Sequence, residues 1–193
     1  MEFGCERTKG ESAVKYCPIC AQPIAVMVPP GDDRDRYVCT SCDIVHYQNP
    51  RIIVGCLVTY EDQVMLCRRA IEPRSGLWTL PAGFMENGET AEAGALRETW
   101  EEARAKPTLG HLHTIYSIPH INQVYMLYHA VLETAEFAPG PESLEVELFA
   151  LDTIPWKDLA FHSVEFALKR YVEAPTAERA WSGVSTFRPH RAR

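Results

Sequence analysis

The chain has 193 residues, 46% of them hydrophobic, which suits one domain of ordinary size with a core and a small appendage. Its 26 Asp and Glu outnumber 19 Lys and Arg, a net charge of −7 that argues against a dedicated nucleic-acid or membrane-surface binder. No apolar run is long enough to span a bilayer, and the charged first twenty residues lack the apolar stretch of a secretory leader, so a cytoplasmic location is expected.

Residues 1–14 are polar and are expected to be disordered. Residues 15–48 carry Cys17-Pro-Ile-Cys20 and Cys39-Thr-Ser-Cys42, a C-x2-C-x18-C-x2-C spacing that fits a four-thiolate zinc ribbon with no open coordination position. A disulfide pair competes, but it needs an oxidising compartment. A thioredoxin-like redox site accounts for only one of the two motifs. So short a segment cannot bury enough apolar area alone, which gives the ion a structural role. Of the other cysteines, Cys56 and Cys67 lie in apolar strand-like runs and are expected to be buried small hydrophobes.

Residues 50–174 alternate strand and helix signals. Apolar, β-branched runs at 52–60 and 64–68 predict a hairpin around Glu61-Asp62-Gln63, and 77–80 a short strand leading into Pro81-Ala82-Gly83. A helix is predicted over 90–103, an antiparallel pair over 111–118 and 122–132, and a last strand over 145–150. A second helix follows over 163–174 with Ser163 as its N-cap, and 175–193 form a loosely held tail. This order predicts an α/β fold with a mixed sheet between helices.

The segment 83–105 is the most informative. It spaces Gly83, Glu89, Arg97, Glu98, Glu101 and Glu102 as G-x5-E-x7-R-E-x2-E-E. In a helix the last three glutamates fall at i, i+3 and i+4, on one face and about 5–6 Å apart at Cβ. Three like charges there repel one another, and a divalent cation reverses that argument by binding carboxylate and phosphate oxygens together. The competing reading is a solvated acidic helix face.

The segment resembles the signature of the Nudix hydrolases, which cleave nucleoside diphosphates linked to another moiety. The resemblance implies a Nudix α/β/α sandwich preceded by a small zinc ribbon. It also implies Mg2+ or Mn2+ on Glu98, Glu101, Glu102 and the Gly83 carbonyl, with Arg97 orienting the cluster through Glu89. The general base is open among the helix glutamates and Glu142, Glu145 or Glu147; Glu145 is favoured because the family often places an acid shortly before the last strand's aromatic, here Phe149. The family pattern ends E-E-x-G where this chain has Arg104, and a non-Gly residue in a left-handed turn costs about 1 kcal/mol. The helix is therefore expected to end near residues 105–107.

Arg68 and Arg69 are candidates to meet phosphates, or else a surface pair. Trp78, Phe84, Tyr47 and Tyr125 are candidates to stack a base, or else core aromatics. A ribbon ahead of such a domain resembles the NADH pyrophosphatase group, but that group's S-Q-P-W-P-F-P is missing from Tyr116-Ser-Ile-Pro-His-Ile-Asn-Gln123. The stretches CDIVHYQNPRIIVGCLV, CRRAIEPRSGLWTLPAGFMENGET and GPESLEVELFALDTIPW look more like the ADP-ribose and FAD branch. The resemblance thus implies hydrolysis of ADP-ribose or FAD with release of AMP, by a homodimer acting on a small nucleotide, without nucleic-acid or membrane partners. The alternatives are an NADH or other dinucleotide pyrophosphatase, and a non-catalytic nucleotide sensor or ribbon interaction protein.

Overall fold

A computed structural model describes residues 14–174 and the backbone of 183–186. The chain divides into two compact units, one up to Asn49 and one from Pro50.

The first unit is a three-stranded antiparallel sheet of β1 (Ile24–Met27), β2 (Arg36–Cys39) and β3 (Val45–His46), in that order. Arg36 closes the loop into β2 by donating to Asp32 at 2.8 Å, which with the Asp33 amide holds the Asp32 carboxyl down to about 2. Each Cys-x2-Cys turn is followed by a residue in the left-handed region, Ala21 after the first and Asp43 after the second. The two knuckles thus share a backbone shape, and the Ala21 and Cys39 amides bond to Cys17 O and Ile44 O.

The second unit is built on an eight-stranded mixed sheet. Its continuous path runs β10 (Ser143–Ala150), β5 (Gln63–Arg69), β4 (Arg51–Tyr60), β9 (Gln123–Val131), β8 (Thr108–Ile118) and β11 (Gly183–Thr186). The short β6 (Trp78–Thr79) pairs with β5, and β7 (Ala82–Phe84) with β4. Pairs β4–β9 and β8–β11 are parallel and the rest antiparallel. The β4–β5 hairpin turns through Glu61 and Asp62, with Glu61 at φ 51° as a two-residue turn requires.

Alternation along β4 fixes the layers. Val54, Cys56 and Val58 join Met65, Cys67 and Ala95 in one core beneath α1 (Ala91–Ala103). Leu57 faces the other way, with Leu66, Leu127, Val164 and Leu168 beneath α2 (His162–Glu173). The result is the expected α/β/α sandwich, with Cys56 and Cys67 buried. Its central strand is apolar on both faces because both faces are covered.

Two details differ from expectation. Ser163 is not the N-cap of α2. Phe161 holds the extended cap conformation with no side-chain bond, its ring packed against the core, and Ser163 is buried inside the first turn. β10 is not the last strand, since β11 pairs parallel with β8. The remaining residues of the expected tail, and residues 1–13 of the expected disordered terminus, lie outside the described residues. Among the described residues no helix is long and apolar enough to cross a membrane.

Candidate active site

The glutamates are presented by α1, whose two ends are fixed separately. At the start, Thr90 has extended backbone and its hydroxyl accepts from the Ala93 amide at 3.2 Å. This leaves the first turn one fewer orphan donor. At the end the helix stops at Ala103 and does not run on to 105–107. Arg104 itself takes the left-handed conformation, φ 50° and ψ 22°, and its amide bonds to Trp100 O at 2.9 Å. The geometry that ordinarily asks for glycine is kept by an arginine, whose guanidinium lies over the Trp100 ring at 5.4 Å. The loop before β10 completes the end of the helix, with amides of Gly140 and Ala138 on the carbonyls of Glu102 and Ala103, each at 2.9 Å. A Cβ at Gly140 would overlap the Glu101 carbonyl, so only glycine permits this approach.

Arg97 organises the carboxylates. It makes a bidentate pair with Glu89 at 3.0 and 2.9 Å, reaches Glu98 at 2.7 Å and Glu101 at 3.1 Å, and donates to Phe84 O at 3.1 Å. The guanidinium and the Glu86 amide hold the Glu89 carboxyl down to about 2. Glu102 is buried, with Oε2 accepting from the Ala82 amide at 3.1 Å. Burial, reinforced by the Glu98 charge, pushes its carboxyl up to about 8 against that amide. Burial also raises Glu98, despite Arg97. Gly83 sits directly under the Glu98 carboxylate, which a Cβ there would overlap.

These groups line a cleft of about 730 Å3. Gly83, Phe84, Arg97, Glu98, Glu101 and Glu102 all face it, joined by Arg69, Tyr125 and Glu142. Arg69 stacks over Phe161 at 5.1 Å, and Arg51 over Phe84 at 4.8 Å. Arg68, Trp78 and Glu145 are not among the lining residues. Arg68 donates to Glu145 at 3.2 Å as an exposed cross-strand pair, and Trp78 packs edge-on against Phe149 at 5.0 Å. Tyr47 belongs to the first unit, where Arg36 stacks on it at 5.1 Å. Sequence reasoning missed Arg104, Gln123 and Phe161 as cleft residues. Arg104 alone had a signal, as the position where the motif departs from pattern.

The donor sets differ in readiness. Among the described residues, the four cysteines are the one group of three or more potential ligands whose donor atoms all lie within 4.8 Å of one another. Sulfur separations of 3.4, 3.6 and 3.8 Å suit a zinc tetrahedron, whose edges are about 3.8 Å for zinc–sulfur bonds of about 2.3 Å. The glutamates offer hard oxygen donors of the kind a divalent cation takes; burial disfavours the charge of Glu98 and Glu102, while Glu101 is exposed. They are spread around Arg97 rather than drawn to one point.

The NUDIX domain model matches residues 49–169, and the model described as Nudix N-terminal matches 15–48. An ADP-ribose pyrophosphatase of Methanocaldococcus jannaschii is 29% identical over 115 residues, 56% of this chain and 67% of that protein. The NAD-capped RNA hydrolase NudC of Chromobacterium violaceum is 30% identical over 143 residues, 73% of this chain; the chain spans about half of that relative, 52%. A solved NUDIX hydrolase from Nitrosomonas europaea is 48% identical, covers 90% of this chain and 100% of its own, and superposes with a TM-score of 0.85. With the motif in place on its helix and both family models matched, the chain belongs to the Nudix hydrolase family and carries that family's ribbon-type N-terminal domain.

Proposed function

We propose that this chain hydrolyses the pyrophosphate bond of a nucleoside diphosphate derivative, ADP-ribose or FAD, and releases AMP. The observation that carries the reading is that Glu98 and Glu101, paired with Arg97, share one cleft with Glu102, which is held by the Ala82 amide. Glu98, Glu101, Glu102 and the Gly83 carbonyl would hold Mg2+ or Mn2+, which when bound neutralises phosphate oxygens and acidifies water. Arg97 keeps the glutamates in place and, saturated by them, is not the group that binds phosphate. Arg69, lining the same cleft and free of any carboxylate pair among the described residues, is the cation that meets the diphosphate. Phe84 and Tyr125 bound the cleft with aromatic surface.

The position of the base moves from Glu145 to Glu142, because Glu145 is engaged by Arg68 and Glu142 lines the cleft. Water attacks phosphorus, its proton passes to Glu142, the bridging P–O bond breaks and the leaving phosphate departs. The four clustered cysteines would hold a zinc ion, which with four thiolates would have a structural role and no open position for substrate.

A second reading, in which the pyrophosphate is that of NAD or an NAD cap on RNA, is favoured by the NudC relatives. Hydrolysis in oxygen-18 water, with mass spectrometry of the products, locates the attacked phosphorus. A side-by-side assay of ADP-ribose, FAD, NADH and dNTPs separates the readings. Preference for NADH overturns the choice of substrate, and activity confined to dNTPs overturns the dinucleotide-type class.

A further inference from the structure

Beside the cleft lies a second cavity of about 390 Å3, and the two share Ile118, Ile121 and Phe161 as walls. Tyr116, Trp156, His120, His162, Glu165 and Arg74 also face it, so aromatic rings alternate with hydrogen-bonding groups of both charges. Trp156 presents 36% of its surface, while Tyr116 is 7% exposed and packs against Phe166 at 5.4 Å between ring centres. His162 and Glu165 approach each other at 3.4 Å in the first turn of α2. Such a lining, rings for stacking together with hydrogen-bonding groups at fixed positions, is that of a small-molecule site.

The walls are fixed by backbone bonds. The turn at 119–121 is closed by Asn122 N to Pro119 O at 3.2 Å, and Asn122 O accepts from the Arg51 amide on β4 at 2.9 Å. The turn carrying Trp156 is closed by Asp158 N to Pro155 O at 2.9 Å, and Ala160 N ties the following segment to Trp78 O at 2.8 Å. The cavity therefore stands formed, and a ligand need not order it.

We propose that this second cavity receives the purine base of the nucleotide whose pyrophosphate occupies the adjoining cleft. A flat heterocycle stacks on the Trp156 indole, and its nitrogen-rich edge meets imidazole and carboxylate groups together with the Arg74 guanidinium, which can donate to a ring nitrogen. The shared wall of Ile118, Ile121 and Phe161 lets one ligand run from the cavity into the cleft. The proposal rests on the hydrolase reading for the contents of the cleft, but binding of the base does not require turnover.

The test is calorimetric titration of the full-length chain with AMP and with ribose 5-phosphate, which lacks the base. For Trp156→Ala, the AMP dissociation constant is expected to rise about tenfold or more, as for loss of a base–aromatic stack. Trp156→Phe retains most of the affinity, His120→Ala loses part of it, and ribose 5-phosphate binds all variants alike. Unchanged AMP affinity in both Trp156→Ala and His120→Ala overturns the proposal. So does an equal loss for both ligands in a folded variant, which would mean that the cleft as a whole is disturbed. If AMP binding depends on Trp156 while no pyrophosphate is hydrolysed, the base site stands and the hydrolase reading fails. If hydrolysis proceeds and AMP binding ignores Trp156, the reverse holds.

Discussion

Glu101→Gln and Glu102→Gln each remove a carboxylate that can ionise to hold a cation, while keeping the shape of the side chain. Glu102 is the more informative position, because its amide partner, Ala82 N–H, can still donate to a glutamine carbonyl. Each variant is expected to keep its fold and to lose at least about 10²-fold in kcat, as a neutral side chain replaces a charged metal ligand. Circular dichroism alongside steady-state kinetics checks both halves. Glu89 yields a different prediction. Its carboxyl is held down to about 2 by Arg97, from an ordinary 4.5, so its pairing contributes fully above the ordinary value and is lost as pH falls towards 2. Thermal denaturation between pH 5 and 2 is expected to show falling stability, with a shallower fall in Glu89→Gln. Parallel profiles for the two proteins would show that Glu89 stays charged in both states or in neither.

The motif on α1 was legible in the sequence because the chemistry itself sets the spacing. Carboxylates that share a cation must be one turn apart, and the arginine that binds them must sit on the same face. The proposed base was not singled out by the sequence, for a geometric reason. β10 carries a register irregularity between Ser143 and Glu145, and which acid meets the cleft depends on that bulge rather than on residue type. Glu142, ahead of the irregularity, lines the cleft, and Glu145, after it, sits opposite Arg68. The cap of α2 was misplaced for a related reason. Ser163 has good capping chemistry, but burial of Phe161 sets where the chain enters the helix. At the other end of α1, the left-handed Arg104 makes its own prediction. Arg104→Gly relieves a strain of about 1 kcal/mol. It gives up a stack on Trp100 that Lys106 also makes, at 4.8 Å. A net gain of about 0.5 kcal/mol is expected in urea denaturation, and a net loss would show that the stack outweighs the strain.

The molecule joins a small cysteine-bearing unit to a sandwich in which both faces of one sheet are covered, and the two halves depend on different forces. The sandwich was legible in outline from the order of strand and helix signals and from the family resemblance, with the continuous apolar run of β4 marking a strand covered on both faces. The pairing of β11 with β8 was not, because a four-residue Gly-Val-Ser-Thr strand carries little local signal and its partner is far away in sequence. The ribbon buries little apolar area, so its stability is expected to depend on metal. Cys39→Ser should lose zinc by elemental analysis and lower the melting temperature, with little change in kcat at permissive temperature. Selective loss of turnover in a folded Cys39→Ser protein would instead give the ribbon a part in hydrolysis. For the proposed activity itself, the most direct measurement is AMP release from ADP-ribose and FAD by the purified chain and by Glu102→Gln, each with and without Mg2+ or Mn2+. The expected result is AMP from the wild-type chain only when a divalent cation is present, and at least about 10²-fold less from the variant. Equal release by the two proteins, or no release from either substrate with either metal, would contradict it.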